Sequence, residues 1–353
     1  MDVNKSFNDW LNSVQLQYNT EINNLTNEVL NLTSINSGLT QQVLQLNIIN
    51  TGLTAQVNDL NKQIEVLKNP PKFKIPYGVN IHPTNVEYAD SKKVFDLVRN
   101  LGMDSVRMDM HSNAQGIQKN EAKFLNEIIP ASTGIRLFGM LTQQGLDVTS
   151  TDAAGQYKVG FGVGNGYGSA YGKYFEAIEL GNELDNLCIL SGKDGTQLSH
   201  FDSNKIKMVG NYCKGMMDGL KAAVPNIKII MDVCWTHFAF ITEMINTYGI
   251  KIDVLASHWY WSMEKAKPNY IEAAITALFP NIPIIFNETG YDVVGGAQED
   301  CLPMITRMKK SGVFVYELLD EYVSRTAGSK EGSFGLFDKN LNPKTLATLL
   351  IKK

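Results

Sequence analysis

The stretch FEAIELGNE (residues 175–183) is a short apolar run that ends in polar residues, and this pattern recurs along the chain. Amphipathic segments such as SKKVFDLVRNLG (91–102) separate the repeats. Strands that alternate with helices predict a parallel sheet covered on both faces. The eight runs are YGVNIH (77–82), DSVRMDM (104–110), IRLFGMLT (135–142), FEAIELGNE (175–183), KIIMDVCW (228–235), VLASHWY (254–260), IPIIFNE (282–288) and VFVYELLDE (313–321).

The number of strands selects the fold class. Eight strand-helix repeats over roughly 280 residues predict an α/β protein built as a (β/α)8 TIM barrel. An open, doubly wound sheet is the alternative. It is disfavoured because no strand runs directly into a G-x-G-x-x-G turn that begins a helix.

The chain before residue 69 has a different repeat. Leucine recurs every seven residues from Leu25 to Leu67, and Ile22, Val29, Asn36, Val43, Asn50, Val57 and Ile64 fill the alternate position. This 3-4 spacing predicts a long coiled-coil helix. β-branched residues with Asn at one seam position and Leu at the other favour a parallel dimer, whereas Ile35 and Ile49 widen the apolar stripe and leave a trimer open. A single amphipathic helix of this length, about 70 Å, is too long to lie on one domain.

The composition gives the domain boundaries. The prolines of KNPPKFKIP (68–76) cannot continue a helix. The predicted organisation is a coiled-coil oligomerisation stalk at 1–68, a Pro-rich linker at 69–76 and the barrel at 77–353.

Charge and cysteine usage exclude several classes of protein. A net charge of −4 offers no basic excess for a nucleic-acid partner. The four cysteines lack metal-ligand spacing and are interpreted as free core thiols. We expect no signal peptide and no membrane insertion, because the N-terminus lacks a basic and apolar leader and no run of 18 apolar residues occurs.

Polar residues end most of the predicted strands, at the barrel face where loops surround an open cavity. Two of these ends carry the same pair, Asn182-Glu183 after strand four and Asn287-Glu288 after strand seven. Hydrolysis of a glycosidic bond requires two such carboxyl groups on either side of it. The other strand-end candidates are His82, Arg107, Asp109, Asp232, His258, Tyr260, Glu317 and Asp320.

The segments YGKYFEAIELGNELDN (171–186) and IPIIFNETGY (282–291) resemble the fourth- and seventh-strand motifs of clan A glycoside hydrolases. SHWY (257–260) is similar to that clan's His-x-Tyr on strand six, and SVRMDM (105–110) to its strand-two arginine motif. The likeness spans 77–353 and is closest to the branch with family 39 and related bacterial polysaccharide hydrolases.

The resemblance implies a role for each matching residue. Glu183 would be the general acid/base and Glu288 the nucleophile, while Asn182 would bind the sugar 2-hydroxyl. Arg107 and Tyr260 would keep the nucleophile ionised and oriented, and His258 would line the pocket. We expect a setting that raises the pKa of Glu183, because a general acid must start protonated. Further substrate-binding candidates at the same strand ends are His82, Asp109, Trp235, Trp261, Tyr316 and Glu317.

The sequence departs from the clan pattern at two places. Strand eight ends in Tyr316-Glu317 where a tryptophan is usual, and HSN (111–113) follows strand two where relatives often carry a tryptophan. The sugar identity and linkage, and exo or endo action, are therefore left open. A binding head that does not cleave remains the alternative function.

Three other features have specific interpretations. The glycine-rich run GQYKVGFGVGNGYGSAYG (155–172) is expected to be a mobile loop over the cleft. His82, His111 and His258 raise the possibility of a metallohydrolase, but strand one lacks an H-x-H, so neither a metal nor a cofactor is expected. In IELGNELD (178–185), Glu179 is expected to pair with a donor inside the barrel, and Asp185 to cap a helix or lie solvated at the rim.

The sequence therefore predicts a retaining, endo-acting glycoside hydrolase on an oligomeric stalk. The architecture is typical of a phage tail fibre or depolymerase that acts on capsular polysaccharide or exopolysaccharide at the bacterial surface. A non-catalytic carbohydrate-binding fibre protein is one alternative, and a cytoplasmic glycosidase is the other. The composition does not decide between a phage and a bacterial source.

Overall fold

The computed structural model of the protein describes residues 3–68, 73–83, 85–110, 120–293, 296–320 and 333–351. The chain divides into two compact units, Met1–Phe73 and Lys74–Lys353. Within the described part of the chain, no helix combines the length and apolarity needed to cross a membrane. Linker residues 69–72 and His111 lie outside the described residues.

The first unit contains one long helix, α1 (Val3–Lys68), and the prediction of a long N-terminal helix is confirmed. Its leucine seam is more than half exposed at every described position from Leu25 to Leu60. Threonines along the helix donate their hydroxyl hydrogens to the carbonyl four residues earlier, as Thr33 does to Val29 and Thr40 does to Asn36. These bonds satisfy polar side chains locally, so the exposed apolar seam is the feature of α1 that lacks a partner within the described part of this chain.

The second unit is a closed barrel of eight parallel strands in sequential order, which confirms the predicted TIM barrel. Each strand coincides with one of the eight apolar runs. Nearly every strand residue is buried, because helices cover the outer face and side chains fill the interior. The strands are β1 (Tyr77–Ile81), β2 (Ser105–Met110), β3 (Arg136–Leu141), β4 (Ala177–Leu180), β5 (Lys228–Cys234), β6 (Val254–His258), β7 (Ile284–Thr289) and β8 (Val313–Val315).

Helices follow the strands around the barrel. The longest are α5 and α7, and the other described helices of this unit have ten residues or fewer. The helices of this unit are α2 (Ser91–Asn100), α3 (Glu121–Lys123), α4 (Ile129–Ala131), α5 (Ala153–Tyr171), α6 (Leu184–Cys188), α7 (Ser203–Ala223), α8 (Phe238–Asn246), α9 (Trp261–Ala266), α10 (Ile271–Leu278), α11 (Leu302–Met308) and α12 (Thr345–Ile351), and a π-helical turn, Phe124–Ile128, joins α3 to α4.

The glycine-rich run forms helix α5, so the prediction of a mobile loop is wrong. Gly160 and Gly164 lie against α7, where a Cβ atom would come within 2.1 Å of the Tyr212 and Met216 carbonyl oxygens. Gly215 of α7 meets the Tyr157 carbonyl oxygen in the same way. The glycines therefore allow two helix backbones to pack in direct contact. Asp152 caps the N-terminus of α5 by accepting from the Gly155 amide.

Candidate active site

The two predicted carboxylates meet at the carboxyl-terminal mouth of the barrel. Glu183 follows β4 and Glu288 lies near the end of β7, and His258 at the end of β6 contacts both of them. The Nδ1 atom of His258 lies 2.8 Å from Glu183 Oε1 and 3.3 Å from Glu288 Oε2. Residues that are about a hundred positions apart in sequence thus meet at one imidazole nitrogen.

The backbone at Glu183 has an unusual conformation. Glu183 has φ 52° and ψ 42°, the left-handed region that non-glycine residues seldom occupy. Its amide donates to Asp232 Oδ2 at 2.8 Å, and α6 begins at the next residue. The amide contact with the buried Asp232 side chain holds the turn from which the Glu183 side chain reaches His258.

The buried Arg107 of β2 links the polar groups around Glu288 and Glu179. Its guanidinium donates two hydrogen bonds to Glu179, at 2.6 and 3.1 Å, and one to Glu288 Oε1 at 2.7 Å. A third partner is Asn182, whose Oδ1 accepts from Nη2 at 2.7 Å. The prediction that Glu179 pairs with a donor inside the barrel is confirmed. The single positive charge of Arg107 is shared between two buried carboxylates, those of Glu179 and Glu288.

Two further contacts orient these carboxylates. Tyr260 donates its hydroxyl to Glu288 Oε2 at 2.9 Å. Burial and the neighbouring Glu288 charge raise the pKa of Tyr260 well above its usual range, so the hydroxyl keeps its proton and remains a donor. Asn287 donates to Glu179 Oε1 at 2.8 Å, and Asn80 accepts from Arg107. The sequence did not indicate Asn80, and it indicated Asn287 only as the neighbour of Glu288, with no role of its own.

The charge state of Glu183 differs from the expectation. Burial favours a raised pKa, but the hydrogen bond and charge of His258 outweigh burial and lower the pKa of Glu183 to about 2. Burial in turn favours neutral His258, yet the charges of Glu288, Asp232 and Glu183 raise its pKa to about 10. The resting site therefore pairs an ionised Glu183 with a His258 imidazolium, and the expected raised pKa of Glu183 is wrong.

Cys234, at the end of β5, also contacts Glu183. Its thiol donates to Glu183 Oε1 at 2.9 Å. Burial and the nearby carboxylates raise the pKa of this thiol well above its usual range, so it remains protonated. Glu183, Cys234 and His258 place one possible metal-ligand atom each within 4.8 Å of one another. A cation bound there would have to displace the protons of the His258 ring and the Cys234 thiol.

Asp185 is buried, so its predicted place at the solvated rim is wrong. Its Oδ2 atom accepts from the Cys234 amide at 2.9 Å and lies 2.6 Å from His237 Nδ1. These contacts join the turn after β4 to the turn after β5. Asp185 thus holds the segment that carries Cys234 and Trp235.

A second charged cluster lies at the ends of β1, β2 and β8. His82 Nδ1 is 2.6 Å from Asp109 Oδ2, and His82 Nε2 is 3.2 Å from Glu317 Oε2. Burial disfavours the charged ring, but Asp109 and Glu317 together raise the pKa of His82 well above its usual range. The Tyr316 ring meets His82 edge-on at 5.9 Å. Tyr88, which the sequence did not indicate, contacts Glu317 through its hydroxyl at 3.4 Å.

Trp235 and Trp261, two of the predicted substrate-binding residues, follow β5 and β6, and both are partly buried. Trp235 stacks on the fully buried Trp259, with ring centroids 5.3 Å apart and planes 11° apart. The Lys267 ammonium lies over the Trp235 ring at 5.2 Å. The Trp235 indole is thus already engaged by protein groups, whereas Trp261 begins α9 at the edge of the mouth.

All four cysteines are buried and free, as predicted. Asp232, a strand-end candidate without an assigned role, and Cys234, which the sequence did not indicate, touch Glu183 directly. Asp232 ends an apolar strand in the same way as the predicted site residues, and that signal had already made it a candidate. Nothing in the sequence distinguishes Cys234 from the other three cysteines, which are buried as well.

Comparison with known proteins reveals likeness in structure alone. No protein-family model and no curated protein sequence matches the chain. A β-D-glucuronidase structure from Dictyoglomus thermophilum superposes with a TM-score of 0.53 at 14% identity over 79% of this chain. The match covers 50% of that protein, so the chain spans about half its length.

Two smaller structures match over nearly their full length. The GH53 catalytic domain from Ignisphaera aggregans gives a TM-score of 0.55 at 13% identity, covering 79% of this chain and 97% of that one. The family 1 β-glucosidase from Thermotoga maritima gives 0.53 at 12% identity, covering 80% and 98%. The barrel of this protein thus has the (β/α)8 fold of clan A-type glycoside hydrolases.

Proposed function

We propose that the barrel is a retaining glycoside hydrolase in which Glu288 is the nucleophile and Glu183 the general acid/base. The observation that carries the proposal is the pair of carboxylates that share His258 Nδ1. Since their nearest oxygens lie 2.8 and 3.3 Å from that one atom, they are at most about 6 Å apart, which suits the ~5–5.5 Å separation of retaining glycosidases. Inverting enzymes need more room, because a water molecule must fit between carboxylate and sugar.

The surroundings of each carboxylate support its role. Glu288 receives hydrogen bonds from Arg107 and Tyr260, which fix the orientation of the attacking oxygen. About a third of the Glu183 side chain is exposed, compared with 9% for Glu288. The more accessible group is better placed to protonate a leaving sugar and to activate water. Asn182, held by Arg107, is available to the sugar hydroxyl next to the reacting carbon.

The proposed reaction has two steps. Glu288 attacks the anomeric carbon while the glycosidic bond breaks and its oxygen receives a proton through Glu183, which leaves a glycosyl ester. Glu183 then removes a proton from water, the water oxygen attacks the same carbon, and the ester bond to Glu288 breaks. Two inversions give overall retention of configuration.

Reducing-sugar release from a panel of capsular polysaccharides and exopolysaccharides tests the activity. Oligosaccharide products are expected from the wild type and absent from Glu288→Gln, because an amide cannot replace the nucleophile. Binding of a polymer without release of products would favour the alternative of a carbohydrate-binding fibre protein.

We further propose that α1 is an oligomerisation stalk that holds several barrels together on one polymer. The exposed leucine seam supports this idea, because an unpaired apolar stripe of this length is unfavourable in water. Linked barrels would bind a repeating polysaccharide more tightly than one barrel can. Such an arrangement suits an endo-acting depolymerase of a phage tail fibre acting on capsule or exopolysaccharide.

A matched pair of variants tests the stalk. Leu39→Glu and Leu46→Glu place charge in the seam, whereas Leu44→Glu makes the same change outside it at an equally exposed leucine. Light scattering after gel filtration should find an oligomer for the wild type and Leu44→Glu, and smaller species for the seam variants. The wild-type mass also decides between a dimer and a trimer. A monomeric wild type would refute the stalk, and detection of the protein in purified phage particles would support the tail-fibre assignment.

A further inference from the structure

The fully buried ring of His258 has carboxylate oxygens at both of its nitrogens. Nδ1 faces Glu183 and Glu288 as described above, and Nε2 lies 3.5 Å from Asp232 Oδ2. A neutral imidazole has a lone pair on one of its nitrogens. A lone pair on Nδ1 would face two carboxylate oxygens, so the geometry places a proton on this nitrogen. Burial raises the pKa of Asp232 well above its usual range, whereas the charges of Glu288 and Glu183 raise the pKa of His258 and favour a second proton on Nε2.

We propose that His258 stores the proton that Glu183 delivers to the leaving group, so that the two residues act as one acid. The inference rests on the proposed function of Glu183. An ionised Glu183 has no proton of its own to donate, and the nearest mobile proton is on His258 Nδ1, in a hydrogen bond of 2.8 Å. The Cys234 thiol also donates to Glu183 Oε1, but its raised pKa makes it a poor source.

The proton balance of the cycle follows. In the first step the His258 Nδ1 proton moves to Glu183 Oε1, and Glu183 passes this same proton to the glycosidic oxygen, which takes the electron pair of the broken bond. The ring is then neutral, and Glu288 is an uncharged ester. In the second step a proton from water passes through Glu183 back to Nδ1, the water oxygen bonds to the sugar, and Glu288 leaves as a carboxylate.

This arrangement couples the two carboxylates through one ring. Glu288 is the largest single charge that favours the imidazolium. When Glu288 becomes an ester, that charge disappears and His258 gives up its proton more readily. The proton is thus released as the nucleophile reacts and regained as the nucleophile is freed. The other groups that bear on the ring are Glu179 from β4, Glu183 from the turn after β4, Asp232 and Cys234 from β5, and Arg107 from β2, which binds the Glu288 carboxylate.

Nitrogen-15 NMR of histidine-labelled full-length protein tests the proposal without any substrate. The His258 signals are identified by their loss in His258→Asn or, if that variant does not fold, by through-bond assignment of the wild type. Both ring nitrogens of His258 should be protonated at about pH 7.5, with a titration midpoint at a pKa of about 10. A neutral His258 at this pH would overturn the proposal.

Glu288→Gln tests the coupling, because glutamine has the uncharged character of the ester at the same position. Its His258 midpoint should fall by more than about one pH unit. The control is Glu127→Gln, which makes the same change at an exposed site near α4 and should leave the midpoint unchanged. An unchanged midpoint in Glu288→Gln would refute the coupling. Since these readings need no turnover, they stand apart from the test of glycosidase activity.

Discussion

Glu183→Gln is the substitution that most sharply tests the role assigned to this side chain. Glutamine keeps the shape of the side chain, and its carbonyl oxygen can still accept from His258 and Cys234. The amide can donate to Asn186, whose side chain can turn its oxygen toward Glu183. The fold should therefore survive while the proton path to the leaving group is lost.

The size of the effect depends on the leaving group. General acid catalysis contributes about 10²–10⁴-fold to rates, which is about 3–5 kcal/mol of transition-state stabilisation. Glycosides with poor leaving groups should lose this full factor. Dinitrophenyl glycosides should react with Glu288 at close to the wild-type rate, because their leaving groups depart without a proton.

The assay compares kcat/KM for both classes of glycoside in the wild type, Glu183→Gln and Glu127→Gln, the exposed control. The smaller variant Glu183→Ala should also accept azide in the space left by the carboxyl group and release a glycosyl azide of retained configuration. Equal loss on activated and unactivated substrates in Glu183→Gln would contradict the assignment of Glu183 as the acid.

Three other predictions concern packing and charge. Gly164→Ala should lower the free energy of unfolding by about 1–3 kcal/mol, because the new Cβ meets the facing helix. Gly166 has open space around it, so Gly166→Ala should raise the free energy of unfolding by up to ~1 kcal/mol. Urea unfolding measures both changes. Asp185→Ala should lower the free energy of unfolding by about 1–3 kcal/mol, because the Cys234 amide and His237 lose their shared acceptor. An unchanged free energy of unfolding in urea would contradict this prediction. The raised pKa of His258 stabilises the folded protein most fully below pH 6.5, and this contribution should be lost as the pH rises from there to about 10. In Glu288→Gln this stabilisation should be lost completely at a lower pH than in the wild type. Identical profiles of unfolding free energy against pH for the two proteins would contradict this prediction.

The barrel could be predicted from sequence because each strand is a short apolar run with a polar end. Eight runs with helices between them leave few ways to bury both faces of a parallel sheet. The long helix was equally accessible, since a leucine repeat of seven residues held over six heptads is typical of a coiled-coil helix. The pairing of Glu183 with Glu288 required only the positions of β4 and β7 in that barrel.

The glycine-rich segment was mispredicted because its glycines were interpreted as a source of backbone flexibility, whereas their lack of a side chain is what the packing requires. Glycines at every second position suggested a loop, but Gly160, Gly164 and Gly168 also recur every four residues and share one helix face. Gly215 and Gly219 of α7 meet the α5 backbone in the same way, at Tyr157 and Phe161. Only the packing of the two helices reveals why both sequences need small residues.

The charge states of the site could not be predicted from the sequence of single strands. The pKa of Glu183 depends on His258, and the pKa of His258 depends on Glu288 and Asp232. Residues at the ends of four strands therefore determine which group carries the proton. The burial of Asp185 likewise depends on the turn after β5. Strand ends indicate which residues reach the mouth of the barrel, but their protonation and depth follow from neighbours that are distant in sequence.

Covalent trapping of the nucleophile tests the central claim most directly. The wild-type protein is incubated with a panel of mechanism-based inactivators, 2-deoxy-2-fluoro glycosyl fluorides of different sugars, and intact-mass and peptide mass spectrometry locate any label. We expect one glycosyl group per chain, bound to the peptide that contains Glu288, and no label in Glu288→Gln. A label on Glu183 or on another residue, or reaction products of inverted configuration, would contradict the proposed mechanism.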